Sequence, residues 1–390
     1  MNREHDDIAI AGAGIAGLAI GRLLSREGFR VRVYEQARCF ARVGAGIQMT
    51  PNAVMALRGM GLDAHACDVA FHPQMGLARE FDTGDVTNEL RMSEFPERYG
   101  APHLCMHRGD LHHILASDLP GDLVSFGKRI VACSQQDELV SLAFADGSTA
   151  TARALIGADG IHSAVRRQLF GDDTPLSTGK ISYRAIVPAA LIKGAVSQAR
   201  VKWWGADRHI VVYYNSRAMD EVYFGAIVPE STRPDALESW SAIGDIAELR
   251  RLFEGFHPEV LAILDACESV NLYTILEREP IESWGTGRIS LIGDACHPMT
   301  PFMSQGGAQS LEDAAILYRC IREAGLDCID QAFQRYASIR RPRTADIQTT
   351  SRKNTWMRRA TNPDWLYGYD AWLTPLDAPS EIDRLEQAAN

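Results

Sequence analysis

The chain has 390 residues, of which 46% are apolar and 23% are charged, and its formal net charge is −10. This length and composition allow a large core without disulfides or metal ions, and they exclude collagen and disordered proteins. The acidic balance argues against a general nucleic-acid binder. Eight scattered cysteines without a C-x-x-C pair, and no long apolar run, predict a cytoplasmic protein with reduced thiols and no membrane span.

The first predicted unit is a strand, a glycine-rich turn, a helix and a second strand. These elements occupy residues 8–11, 12–17, 15–24 and 29–34. Gly28 ends the helix, and Glu35 follows the second strand. This order is the context in which a G-x-G-x-x-G pattern indicates dinucleotide binding.

Each residue of this pattern has a physical role in such a site. Gly12 permits the tight turn, Gly14 lets the backbone approach a pyrophosphate, and Gly17 allows the helix to pack closely on the strand. The helix N-terminus faces the phosphates, and Glu35 accepts hydrogen bonds from the adenosine ribose. The alternative is a glycine-rich turn without a ligand.

Two later segments specify the family. Residues 157–166 (GADGIHSAVR) and residues 293–298 (GDACHP) each follow a short apolar run of strand type. With the first pattern they resemble the class A flavoprotein aromatic hydroxylases, the family of para-hydroxybenzoate and salicylate hydroxylases. The resemblance extends from residue 8 to about residue 370. It implies an α/β fold with a Rossmann-like FAD-binding domain of the para-hydroxybenzoate hydroxylase type, an inserted antiparallel-sheet substrate lobe and a helical C-terminal tail.

The expected domains are interwoven along the chain. They are a discontinuous FAD-binding domain at 1–70, 99–181 and 273–347, a substrate-binding β lobe at 71–98 and 182–272, and a C-terminal helix with an aromatic tail at 348–390. Three β-rich runs, at 200–204, 209–214 and 221–228, predict strands of the lobe. A helical pattern over residues 248–264 predicts packing outside its sheet.

The resemblance implies FAD contacts along most of the chain. The corresponding residues are Gly12, Gly14, Ala16, Gly17, Glu35, Gln36, Arg42, Ala45, Gly46, Arg108, Ile130, Asp159, Asp294, Pro301, Gly306, Gly307 and Ala308. Among them, Asp294 would contact the ribityl chain, Arg108 the flavin chain or pyrophosphate, and Asp159 would bridge FAD and the nicotinamide donor. Either aspartate alone could instead cap a helix. The resemblance also implies that NADH or NADPH binds transiently, and the lack of a second G-x-G-x-x-G pattern agrees with this.

The activity implied by the resemblance is monooxygenation of an aromatic ring. NAD(P)H reduces FAD, O2 forms a flavin C4a-hydroperoxide, and a hydroxyl group is transferred to an electron-rich ring carbon, with or without decarboxylation. No metal is needed, because the flavin activates oxygen. A base near a ring hydroxyl helps this transfer. Tyr213 and His209 are the candidates, since their spacing of four places both on one face of a strand. The alternative is that Tyr213 is an ordinary aromatic residue packed in the interior and that His209 is a polar residue whose hydrogen bonds are satisfied within the protein.

Three residues depart from the family members that act on pyridine carboxylates. Where those members carry histidine, cysteine and histidine, this chain has Gln48, Arg200 and Phe302. Gln48 can hydrogen-bond but cannot act as a base at neutral pH. Arg200 either holds a substrate carboxylate as a bidentate pair or lies on the surface. Phe302 makes its corner apolar, and Tyr214 is a further expected substrate contact.

Other functions remain open at the level of sequence. The fold also serves flavin dehydrogenases, monooxygenases of non-carboxylated rings and GDP-dissociation-inhibitor-like binding proteins. The basic stretch at 340–359 either pairs with acidic residues or attracts an anionic substrate. The expected partners are a small aromatic substrate, O2 and NAD(P)H, with no nucleic acid and no metal, and the chain is expected to be a monomer or homodimer.

Overall fold

The computed structural model describes residues 5–41, 45–192, 194, 196–230 and 242–377. The strands in these residues are β1 Asp6–Ala11, β2 Val31–Glu35, β3 Gly46–Met49, β4 Met75–Glu80, β5 Val86–Arg91, β6 Leu104–His107, β7 Val124–Phe126, β8 Ile130–Gln136, β9 Leu139–Phe144, β10 Thr149–Gly157, β11 Leu176–Pro188, β12 Ala199–Trp204, β13 His209–Tyr214, β14 Glu221–Pro229, β15 Ala242–Gly244, β16 Val270–Glu277, β17 Gly285–Thr286 and β18 Ile289–Leu291. The helices are α1 Ile15–Arg26, α2 Pro51–Gly59, α3 Asp63–Val69, α4 Phe95–Tyr99, α5 Arg108–Ala116, α6 Ala164–Phe170, α7 Ile246–Leu252, α8 Pro258–Asp265, α9 Gly306–Ala324, α10 Ile329–Arg352 and α11 Asp364–Tyr367. Two short 3-10 turns, Gly293–Ala295 and Pro301–Met303, precede α9.

The first sheet carries the glycine-rich turn. Its strand order is β17-β18-β10-β1-β2-β7, and the β8–β9 ribbon pairs with β10. The strands from β18 to β7 run parallel. Strands such as Ile8–Ile10 and Leu155–Ile156 are fully buried, as expected for a parallel sheet covered by helices. Helices α1, α2 and α9 pack in the same core. The predicted Rossmann-like unit is confirmed.

The second sheet forms the lobe. Its order is β15-β16-β11-β14-β13-β12-β4-β5, and all neighbours are antiparallel except β12 and β4, which run parallel. The predicted antiparallel-sheet lobe is confirmed, with one parallel pair among the described strands, β4 and β12, which are far apart in sequence so that no hairpin fixes their relative direction. The predicted boundary at residue 182 falls inside β11, and α10 crosses the boundary at residue 347. The division into domains stays a prediction.

The lobe sheet has one face on a core and one face on a cavity. Ile210 and Val212 of β13 pack in a core with residues of α7 and α8, while the alternate residues face the other way. The predicted helical stretch over residues 248–264 lies outside the sheet, as expected, but it forms two helices. Gly255 adopts φ +83° and Pro258 begins α8, which together break the stretch.

The basic stretch and the tail both dock on the protein. Arg340 is fully buried and pairs with Glu312 and Asp313 of α9, and Arg352 pairs with Glu277. This favours ion pairing over substrate attraction for these two arginines. Tyr367 of α11 is buried against the short segment around α4. No helix in the described residues is long and apolar enough to cross a membrane.

Candidate active site

A cavity of about 320 Å³ is lined on one side by strands of the lobe sheet and on the other by β3, by the turns that follow β1, β10 and β18, and by the starts of α5 and α9. One end is formed by the glycine-rich turn, Arg108, Asp294 and the start of α9. The other end is formed by six side chains from β3, β12, β13 and the 3-10 turn before α9, namely Gln48, Arg200, Lys202, His209, Tyr213 and Phe302. We refer to these as the cofactor end and the substrate end.

The glycine-rich turn has the geometry that the sequence predicts. Gly12 adopts φ +95°, and a Cβ there would lie 2.6 Å from the Ala158 carbonyl oxygen. A Cβ on Gly17 would lie 1.9 Å from the Gly12 carbonyl oxygen, so only glycine allows this approach of α1 to β1. A Cβ on Gly14, by contrast, would meet nothing within 4 Å. Because no side chain caps the N-terminus of α1, its amides and the space at Gly14 suit a pyrophosphate.

Glu35 lies at the end of β2 beside this turn. Its carboxylate accepts hydrogen bonds from the Ala13 and Ala37 backbone amides, both at 2.8 Å. These bonds fix the carboxylate next to the turn and leave acceptor capacity for ribose hydroxyl groups. Gln36 is exposed beside it. Ile130, at the start of β8, is buried and is not among the residues that line the cavity. Arg42 lies outside the described residues.

Arg108 and Asp294 face each other across the cofactor end. Both side chains are accessible to solvent, but the solvent that they contact is inside the cavity. Protein surrounds them on the other sides. Burial raises the pKa of Asp294, while His297 and Arg108 act in the opposite direction. Burial likewise lowers the pKa of Arg108, and Asp294 opposes this. A pair of charged groups turned inward in this way suits a large polar ligand such as FAD.

The start of α9 provides a further polar wall. Gly306 and Gly307 begin this 19-residue helix, and no side chain caps its N-terminus. The free amides and the helix dipole point positive charge at the cavity. Pro301, Ala16, Ala45 and Gly46 also line the cavity. Ala308 is fully buried in the core and is absent from that lining.

Asp159 lies just before α6 and contacts the start of that helix. Its carboxylate accepts hydrogen bonds from the Ser163 hydroxyl and from the Ala164 amide at 2.7 Å, at the N-terminus of α6. The aspartate therefore caps α6, which was the alternative interpretation of the sequence. The backbone around it, at Ala158 and Gly160, lines the cavity. The bridge from Asp159 to FAD and the nicotinamide donor stays a prediction.

Arg200 defines the substrate end. It is only 6% exposed, which excludes the alternative of a surface position. Its Nε donates to Gln48 Oε1 at 3.1 Å, and His103 Nε2 donates to the same oxygen at 3.2 Å. Burial lowers the pKa of the Arg200 guanidinium. Within the described part of the chain, no carboxylate forms an ion pair with it, so its terminal nitrogens can bind an anionic ligand.

His209 and Tyr213 lie on the same face of β13 and line the cavity, as their spacing predicts. Burial and nearby Lys202 lower the pKa of His209 well below its usual value, so the imidazole is neutral. Burial raises the pKa of Tyr213 well above its usual value. A phenol that stays protonated can donate a hydrogen bond to a substrate oxygen, but it is a poor candidate for the predicted base.

The predictions of substrate contacts for Tyr214 and Phe302 have opposite outcomes. Tyr214 points to the other face of β13, where its hydroxyl donates to the Val196 carbonyl at 3.3 Å and its ring contacts Phe71. It is not among the cavity residues, so the predicted substrate contact is wrong, because successive side chains of a strand alternate between faces. Phe302 is buried, lines the cavity and contacts the His209 ring at 5.7 Å between centroids.

Lys202 and Arg184 also line the cavity, and the sequence analysis missed both. Lys202 follows Arg200 by two residues on β12, so strand alternation was the signal that could have identified it. Its Nζ lies 3.8 Å from the centroid of the Trp204 ring. The Arg184 guanidinium lies 4.1 Å from the centroid of the Tyr273 ring.

A buried cluster behind the cofactor end consists of Cys296, His297 and Asp313. Their potential ligand atoms lie within 4.8 Å of one another, which would allow a metal ion. The Asp313 carboxylate is already bound by His297 Nε2 at 2.5 Å and by Arg340 Nε at 2.8 Å. These partners indicate a polar network that supports the loop carrying Asp294.

Comparisons with known proteins identify the family. Residues 5–351 match the protein family described as FAD binding domain. The 6-hydroxynicotinate 3-monooxygenase of Bordetella bronchiseptica is 40% identical over 95% of this chain and 96% of its own. The 3-amino-4-hydroxybenzoate 2-monooxygenase of Streptomyces cremeus is 34% identical, over 94% of this chain and 96% of its own. The chain therefore belongs to this FAD-binding family.

A solved structure supports the same conclusion. Klebsiella pneumoniae HpxO, complexed with FAD and uric acid, is 26% identical and has a TM-score of 0.80 over 98% of this chain and 97% of its own. Together with the family match, these likenesses confirm the predicted fold, the FAD cofactor and the enzyme class. The chain is an FAD-dependent aromatic monooxygenase rather than a carrier protein of the same fold.

Proposed function

We propose that the chain hydroxylates a small aromatic or pyridine ring that carries both a carboxylate and a hydroxyl group, with NAD(P)H and O2 as co-substrates. The observation that carries the proposal is Arg200, a buried cation at the substrate end with no carboxylate partner in the described residues. An isolated buried charge is costly, so a ligand that supplies a carboxylate gains strongly from binding there. The names of the two curated relatives describe substrates of this kind.

The residues of the substrate end have distinct roles in this proposal. Arg200 binds the carboxylate, and Gln48 holds the guanidinium in place through its side-chain oxygen. Tyr213 donates a hydrogen bond to a ring substituent. Phe302 excludes water from its corner of the cavity. FAD, when bound at the cofactor end, supplies the redox chemistry that takes electrons from NAD(P)H and activates O2.

The test is a substrate panel with the FAD-loaded protein. The panel contains 6-hydroxynicotinate, 4-hydroxybenzoate, 3-hydroxybenzoate, salicylate and 3-amino-4-hydroxybenzoate, together with 4-hydroxybenzamide as a neutral counterpart. NADH and NADPH oxidation, peroxide release and product mass are followed together. At least one carboxylate should stimulate NAD(P)H oxidation and yield a product with one added oxygen atom, with or without loss of CO2.

Two results would contradict the proposal. Stimulated NAD(P)H oxidation that yields only peroxide would identify the compound as an effector and not a substrate. Equal turnover of 4-hydroxybenzamide and 4-hydroxybenzoate would remove the carboxylate from the substrate class. A product oxidised without an added oxygen would instead indicate a flavin dehydrogenase.

We also infer a cytoplasmic location, which the eight free cysteines support.

A further inference from the structure

Lys202 is a buried lysine at the substrate end that the proposed function leaves without a role. Its side chain is 3% exposed and lines the cavity. No acidic side chain in the described ranges forms an ion pair with it, and its Nζ lies 3.8 Å from the centroid of the Trp204 ring and 6.0 Å from that of the Phe302 ring. Lysines are rarely buried without an acidic partner, because removing the charge from water is costly. Such a group is either neutral or awaits a charge from a ligand.

The position of Lys202 relative to Arg200 matches a ligand with two polar ends. The two residues are two positions apart on β12, so their side chains leave the same face roughly 6.6 Å apart. This spacing is comparable to the width of one six-membered ring. Across the sheet, Lys202 pairs with Val211 and Trp204 pairs with His209, so both strands present this face to the cavity. A ring carboxylate at Arg200 would bring a substituent on the far side of the ring near Lys202.

We propose that Lys202 is a further catalytic residue, whose amine accepts the proton of the substrate's ring hydroxyl group. This inference rests on the proposed function, because it requires a hydroxylated ring held at Arg200. In the step, the ring O–H bond breaks and an N–H bond forms at Nζ. The oxygen keeps the electron pair, so nothing is oxidised or reduced. The resulting oxyanion enriches the ring carbons ortho and para to it, where an electrophilic oxygen is transferred.

The charged groups around Lys202 favour a neutral amine before substrate binds. Arg200 lies on the same strand, His209 on the neighbouring strand, and Arg358 approaches the Trp204 ring at 5.4 Å. Burial is the main cause that lowers the pKa of Lys202 well below its usual value, and Arg200 and Arg358 act in the same direction. A neutral amine has the lone pair that a base needs.

The same surroundings explain why the other candidates are weaker bases. Burial is the main cause that lowers the pKa of the His209 imidazole well below its usual value, and Arg200 and Arg358 act in the same direction, so the ring holds a proton poorly. The Tyr213 phenol is protonated, as described above. After proton transfer, the Lys202 ammonium is stabilised by the ring oxyanion and by the Trp204 ring, 3.8 Å from Nζ.

The experiment measures the ionisation of bound ligand in the FAD-loaded enzyme. The ligands are 4-hydroxybenzoate, 3-hydroxybenzoate and 6-hydroxynicotinate, with benzoate and nicotinate as counterparts that lack the hydroxyl. Ultraviolet difference spectra distinguish the neutral ring from its anion, and calorimetry in two buffers of different ionisation enthalpy counts the protons released. The variants are Lys202→Met, Lys202→Arg and, as a matched control on the same sheet, Lys180→Met, since Lys180 does not line the cavity.

The expected results differ between the variants. The wild type and Lys180→Met bind a hydroxylated ligand as its anion without releasing a proton, because Lys202 retains it. Lys202→Met binds the neutral form, and its hydroxylation rate falls on the order of 100-fold or more. Lys202→Arg cannot accept a proton, so any bound anion is accompanied by one proton released to solvent.

The proposal is overturned if Lys202→Met still binds the anion and hydroxylates at the wild-type rate. It is also overturned if the wild type binds the neutral ring, or releases one proton while binding the anion. Lys202→Arg keeps the test valid if Lys202→Met does not fold. Failure of the wild type to bind or hydroxylate any hydroxylated carboxylate would instead refute the proposed function itself.

Discussion

Replacing Arg200 with glutamine should weaken carboxylate binding while leaving neutral ligands unaffected. Truncating one partner of a buried charge pair costs about 2–5 kcal/mol, which corresponds to about 30-fold to 5,000-fold in affinity. The structure places Arg200 toward the lower part of this range. Its Nε is already bound to Gln48 Oε1, so only the terminal nitrogens remain, and the cavity admits water before the ligand arrives. We therefore expect the Kd to rise about 30-fold to 300-fold.

The assay is a titration of the FAD absorbance with 4-hydroxybenzoate and with 4-hydroxybenzamide. In the Arg200→Gln variant, the Kd of the carboxylate should rise by this factor and the Kd of the amide should stay within about twofold of wild type. Arg217→Gln is the matched control, because Arg217 is exposed and far from the cavity lining. A surface charge of this kind contributes little to binding or stability.

A stability measurement separates binding from structure. Because Arg200 has no carboxylate partner within the described residues, its replacement removes a costly buried charge and should not lower the Tm. The reasoning is refuted if both ligands lose affinity equally, or if the carboxylate loses none. A large fall in Tm together with equal losses would mean that Arg200 supports the fold rather than the ligand.

Three further predictions concern the cofactor end and its support. Gly14→Ala should fold with normal Tm but retain less FAD, whereas Gly17→Ala should lose both, because only at Gly17 would the new Cβ strike backbone, at 1.9 Å; the FAD-to-protein absorbance ratio and Tm check this, and equal behaviour of the two variants would contradict it. Arg340→Met should lower the free energy of unfolding by about 3–5 kcal/mol, because it removes one cationic partner from each of two buried carboxylates, whereas Arg91→Met at an exposed pair should change it by about 1 kcal/mol or less; urea unfolding measures both. The buried ion pairs hold the pKa of Asp313 at about 2, below its ordinary value of 3.8, so the stability it contributes is present above pH 3.8 and is lost as the pH falls through about 2; Tm against pH should lose this part of its acid slope in Asp313→Asn, and an unchanged slope would show that the carboxylate is not responsible.

The cofactor end was largely predictable because its constraints are local in sequence. Gly17 is required by its contact with Gly12 inside one strand-turn-helix unit, and Gly12 by its φ of +95° in the same turn, so their spacing alone indicates the geometry. The facing of His209 and Tyr213 followed from strand alternation. The role of Asp159 could not be decided in the same way, because a carboxylate at a helix start suits both a cap and a ligand. Only the positions of the Ser163 hydroxyl and the Ala164 amide distinguish the two.

The arrangement of the substrate end could not be predicted, because it depends on strand pairing and on contacts between residues that are far apart in the sequence. Lys202 precedes two tryptophans in the sequence. Because lysines are usually on the surface, the sequence predicts an exposed residue at this position of the strand. Its burial results from the position of β12 between β13 and β4 and from the approach of Phe302 from another part of the chain. The same long-range approach brings Gln48 to Arg200, although the two residues are 152 positions apart.

The hydrogen bond between Arg200 and Gln48 means that a substitution at one of these positions affects the residue at the other. The resemblance described for the sequence implies cysteine and histidine at these two positions in the family members that act on pyridine carboxylates. At present the Arg200 Nε donates a hydrogen bond to Gln48 Oε1 at 3.1 Å. Changing only Gln48 to histidine would place an imidazole beside the Arg200 guanidinium instead. Changing only Arg200 to cysteine would leave the Gln48 oxygen without that donor. Engineering of the pocket should therefore treat the two positions as one unit.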